Sequence, residues 1–268
     1  MLKIIGILWG IWVLWSFGCR SAERKAGAKT ADSTWTDRRG NISFVFPAKG
    51  YGYDHRQELI QACLDGEKHD LEILQLPAFT DSFTIRFLDS RQEMNRLVGH
   101  PNGGTTLTQP YMIIYLVVNE QEQGPPIPHE IMHMISAVSW GNPDPTSLWM
   151  NEGLAAFSQN SCNGYTDEQI YRYLAAHRML LSIDSLGRTF YQEPEMITYH
   201  QAGWMAGYLL GHYGVEKVRE LWQQGIYHSK EIYGWAFAQM EAEIEAAAER
   251  DYPKAPEINW KSFEVGCR

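Results

Sequence analysis

Residues 129–133 read His-Glu-Ile-Met-His, and eighteen residues separate His133 from Glu152, inside Asn151-Glu152-Gly153-Leu154-Ala155. These two segments restrict the fold more than any other feature of the chain. Histidines four positions apart on a helix share one side, a turn apart, so both rings can reach one ion. Zinc accepts imidazole and carboxylate ligands, and a catalytic zinc keeps one position for water. The eighteen intervening residues leave room for a turn and an antiparallel return, which makes Glu152 the natural third ligand. Glu130 then faces the water and can take its proton as a general base. The expected centre is one Zn2+ per chain, on His129, His133 and Glu152, with Glu130 catalytic.

The segments around this pair read as its scaffold. Asn41 to Phe46 alternates and is rich in β-formers, as expected for a strand ending at Pro47. His55 to Leu76 carries a helical apolar stripe with an expected bend near Gly66. Phe83 to Leu88 reads as a strand, Ser90 to Val98 as a short helix, and Gly103-Gly104 as a turn. Tyr111 to Val118 is a nearly unbroken apolar strand. Pro128 suits a helix start, and Gly141-Asn142-Pro143-Asp144-Pro145 ends that helix. Thr146 or Ser147 is placed to cap the next one. Helices are expected over about 166–181, 198–213, 215–225 and 232–250. The fold class is therefore α+β: a small α/β lobe (35–123), then a mainly helical lobe (124–268).

Lys3 is followed by an apolar run from Ile4 to Gly18, short for a bilayer span but suited to a signal-peptide core. Ser16-Phe17-Gly18-Cys19 resembles a bacterial lipobox, which implies cleavage after residue 18 and a lipid on Cys19. Residues 19–34 are mostly small and polar, as expected of a flexible tether. The expected location is outside the cytoplasm, lipid-anchored at a bacterial membrane on its periplasmic or outer-membrane face. Export permits disulfides, and Cys162 with Cys267 would pin the tail, leaving Cys63 as a buried apolar residue. The net charge of −9 gives no basic face for nucleic acid, which excludes that partner.

The H-E-x-x-H segment followed at this distance by N-E-G-L-A resembles the gluzincin metallopeptidases, above all the catalytic domain of aminopeptidase-N-like and smaller peptidase-MA-like enzymes. The likeness covers about 110–215 and implies a zincin (thermolysin-like) fold, with His129, His133 and Glu152 on zinc and Glu130 as base. It also implies that Tyr199, in Tyr199-His200-Gln201-Ala202, opens a helix and stabilises the oxyanion; His200 is the reserve for that role. The strand Tyr111 to Val118 takes the place of the edge strand against which a peptide lies extended. The family's amine-holding G-x-M-E-N segment is absent; Gly103-Gly104-Thr105-Thr106 stands there without an acid. The expected activity is therefore endopeptidase cleavage of a peptide or protein substrate. Two other readings are a non-catalytic zinc-binding module and a zinc hydrolase of a non-peptide amide or ester. Trp204, Tyr208, Tyr213, Trp222 and Tyr227 read as core, and Glu241, Glu243, Glu245 and Glu249 as a solvated face.

Overall fold

The computed structural model describes residues 34–267. The signal segment, Cys19 and all of the tether but Thr34 lie outside the described residues. Among the described residues no helix is long and apolar enough to cross a membrane.

Thr34 opens β1 (Thr34–Arg39), an unforeseen strand that turns at Gly40 into β2 (Ile42–Pro47). Next come α1 (Tyr51–Asp54), α2 (Arg56–Ile73), β3 (Phe83–Leu88), α3 (Arg91–Val98), β4 (Gly104–Leu107) and β5 (Ile113–Val117). The strands form one sheet in the order β1-β2-β3-β5-β4. β2, β3 and β5 run parallel, with Ile85 opposite both Phe44 and Ile114. The two outer strands are antiparallel to their neighbours. Strict alternation buries Ile42, Phe44 and Phe46 on β2 and Phe83, Ile85 and Phe87 on β3. Ser90 caps α3 by accepting from the Glu93 N–H.

Two expectations are corrected here. The apolar strand is internal, because β5 lies between β3 and β4, and the edge belongs to β4. β4 has only four residues and begins at the glycine pair read as a turn, while its threonines supply the β-branched character that a strand favours. The actual turn lies at Gln109-Pro110, between β4 and β5. Second, α2 is unbroken at Gly66. That glycine is buried where a Cβ would sit 3.3 Å from Ile127 Cγ2, so it serves close packing against the helix that begins at Ile127.

The second half is helical: α4 (Ile127–Trp140), α5 (Leu148–Gln159), α6 (Asp167–Ala176), α7 (Ile183–Thr189), α8 (Glu195–Tyr213) and α9 (Val215–Gln224). After these come α10 (Ser229–Tyr233), α11 (Phe237–Asp251) and α12 (Trp260–Phe263). α5 follows a single 3-10 turn, Pro145–Ser147, capped by Asp144 through the Thr146 N–H rather than by Thr146 or Ser147. Ser147 Oγ instead donates to the Leu221 carbonyl, tying this turn to α9.

The sheet and the helices share one core, in which Ile85, Ile114, Met132, Trp149, Met150 and Trp222 are all buried. Each such side chain contributes about 1.5–3 kcal/mol relative to exposure, so packing alone positions the helices that carry the site. The tightest seam joins α5 to α8: a Cβ on Gly153 would lie 2.7 Å from the Ala202 carbonyl oxygen. The aromatics divide, since Trp222 and Tyr208 are buried whereas Tyr227 is exposed. Glu243, Glu245 and Glu249 are exposed, and half-buried Glu241 accepts from the Ile183 N–H. Cys162 and Cys267 form a disulfide, and Cys63 is a free, buried thiol.

Candidate metal centre

α4 enters through Pro125-Pro126, with Pro128 in its first turn where no backbone donor is needed. Ile131, Met132, Met134 and Ile135 are buried, which fixes the helix and leaves His129 and His133 on its remaining side. Packing of α4 against α5 brings Glu152 to them. The two Nε2 atoms lie 3.1 Å apart, and Glu152 Oε2 is 3.3 Å from each. Zinc bonds of about 2.0–2.1 Å at tetrahedral angles set ligand atoms about 3.3 Å apart, so the triangle has the size such an ion requires. Two imidazoles and one carboxylate also match zinc's preferred donors. These side chains are 14%, 13% and 9% exposed, which leaves the cluster a route to solvent.

His133 Nδ1 is 3.1 Å from Asn151 Oδ1. An acceptor there holds the ring proton on Nδ1 and frees Nε2 for an ion. Asn151→Ala should therefore weaken zinc binding about 10–100-fold, measured by competition with a chromophoric chelator; unchanged affinity would remove Asn151 from the site.

Glu130 is buried beneath the edge strand. Thr106 Oγ1 on β4 is 2.7 Å from Glu130 Oε2 and 2.8 Å from the Glu130 carbonyl oxygen. Gly104 is required here, because a Cβ on it would lie 2.7 Å from Glu130 Cγ and collide with Oε1. The glycine pair thus admits the carboxylate to the strand.

Against known proteins, no family model matches the chain and no curated sequence is significantly similar to it.

Two phenols border the cluster. Tyr199 is in the second turn of α8 rather than at its start, and its ring stacks on His129 with centroids 6.0 Å apart. Burial, then the Glu152 charge, pushes its pKa up, so it stays protonated and able to donate. Tyr191, in the 3-10 turn before α8, donates its hydroxyl to Glu152 Oε1 at 2.7 Å. Desolvation of that hydroxyl, then the same carboxylate, raises its pKa too, although the ring itself is exposed. His200 is buried, and its Nδ1 is 2.7 Å from Asp167 Oδ1, which gives its ring a partner outside the three-residue cluster.

The expected residues His129, Glu130, His133, Glu152 and Tyr199 therefore converge. Asn151, Thr106, Gly104 and Tyr191 went unassigned. Asn151 could have been found, since it precedes the ligand carboxylate and lies a helical turn short of Ala155. Tyr191 has no sequence signal, because its position depends on how the α7–α8 connection folds back.

Proposed function

We propose that this chain is a zinc metallopeptidase of the gluzincin kind, built on a zincin fold, that hydrolyses bonds within extended peptides. The observation that carries the reading is the triangle of His129, His133 and Glu152, with the Glu130 carboxylate held under an edge strand and its charge acting on His133. A bound zinc supplies Lewis-acid activation of water and of the scissile carbonyl. Glu130 accepts the proton of the attacking water and passes it to the leaving amine. Tyr199 is a protonated phenol beside His129, suited to donate to an oxyanion, whereas the Tyr191 hydroxyl is engaged by Glu152 and holds that carboxylate. The outer edge of β4 offers backbone groups to an extended peptide, and Thr106 ties that strand to the base. No carboxylate lies on β4 to hold a free amine, which supports cleavage inside chains. The lipid-modified Cys19 would hold the enzyme at a membrane surface.

Protein prepared without chelator should carry one zinc per chain and cleave quenched peptides blocked at both ends. Chelation should stop cleavage and zinc should restore it. Metal-free protein, or cleavage indifferent to chelation, would overturn the proposal; turnover of esters but not peptides would move it to another bond.

A further inference from the structure

One residue beyond Tyr199, His200 belongs to a separate cluster. Its Nδ1 bonds Asp167 Oδ1 at 2.7 Å, and its Nε2 is 3.9 Å from Cys267 Sγ in the disulfide to Cys162. Asp167, His200 and Cys162 are buried, while Cys267 is exposed. The second oxygen of Asp167 is buried without a hydrogen-bond partner. A disulfide that only ties two distant segments together needs no imidazole beside it. Burying a carboxylate with one oxygen unpaired is costly, and a nearby cation offsets that cost.

We propose that Cys162, Cys267 and His200 form a second metal site, closed by the disulfide and opened on its reduction to a thiophilic divalent ion such as zinc. Both sulfurs and one His200 ring nitrogen already lie within 4.8 Å of one another. Zinc–sulfur and zinc–nitrogen bonds of about 2.3 and 2.0–2.1 Å at a tetrahedral angle separate S from N by about 3.6 Å, close to the 3.9 Å present. Asp167 holds the imidazole from behind, as carboxylates do for metal-binding histidines, and directs Nε2 at the sulfurs. The opening step needs a dithiol reductant. It delivers two electrons and two protons, breaks the Sγ–Sγ bond and is itself oxidised to a disulfide. The ion then displaces both thiol protons, leaving two thiolates, a neutral imidazole and one position for water.

The test uses the full chain, reduced, freed of reductant and kept anaerobic, with iodoacetamide labelling mapped by peptide mass with and without Zn2+. Zinc should slow alkylation of Cys162 and Cys267 at least tenfold, while buried Cys63 should stay unlabelled in both conditions, which shows that the core remains closed. The same protection should persist in His133→Ala, which lacks a ligand of the first centre. Asp167→Asn should raise the zinc concentration needed for protection about 10–100-fold. Equal alkylation with and without zinc, protection lost in His133→Ala, or protection undiminished in Asp167→Asn would each overturn the proposal.

Discussion

Glu130→Gln should retain one zinc per chain and lose about 10²–10⁴-fold in turnover, the range attached to a positioned proton acceptor. Glutamine has the same shape and can still pair with Thr106 Oγ1, 2.7 Å from the present carboxylate oxygen. The carboxylate is not part of the His129–His133–Glu152 triangle, so the metal's donors stay intact. What disappears is the ability to accept the water's proton and return it. Zinc content by elemental analysis, thermal stability and kcat on one blocked peptide separate these effects. Unchanged kcat with full zinc would remove Glu130 from the chemistry. Loss of zinc as well would mean that it supports the ligands instead.

The triangle was legible because the helical period alone places His129 beside His133, and a carboxylate after a short return completes the donor set. The strands Ile42 to Phe46 and Phe83 to Leu88 were legible for a similar reason, since alternation registers burial on one face, but their parallel pairing was not. The edge strand was not. Gly104-Thr105-Thr106-Leu107 is short and half-exposed, and its glycines answer the space taken by Glu130, a contact made across twenty-six positions of sequence. Gly66 misled for the same reason, since the nearness of Ile127 decides its role. A glycine read locally suggests a break; placed in the fold, it marks where two elements approach. Tyr191 exposes the other limit, because its bond to Glu152 depends on an irregular connection that no periodicity describes. His200 was read beside Tyr199 as a second candidate for one role, but neighbours on a helix point about 100° apart. One faces His129 and the other Asp167.

Zinc affinity should fall about tenfold for each pH unit below 9, because the ion must displace a proton from His133. Burial alone would lower the pKa of that imidazole. The Glu152 carboxylate 3.3 Å away outweighs burial, with help from Glu130 and Asn151, and raises it to about 9 in the metal-free protein. Glu152 moves the opposite way: burial would raise it, but the two histidines hold it well below its ordinary value. In the metal-free chain the His133–Glu152 pair stabilises the fold fully below pH 6.5, the ordinary value of His133, and that contribution is lost as pH rises through about 9. Zinc reverses this trend, since its binding strengthens as the proton leaves. Thermal melts with and without zinc should therefore converge toward acid pH and separate toward alkaline pH. Competition with a chelator of known pH dependence, from pH 6 to 9, measures the slope directly. Glu152→Gln removes both a ligand and the charge that raises His133, so its weak residual affinity should vary less with pH. A wild-type affinity that is flat from pH 6 to 9 would show that His133 is not the protonated partner of Glu152 in the metal-free protein.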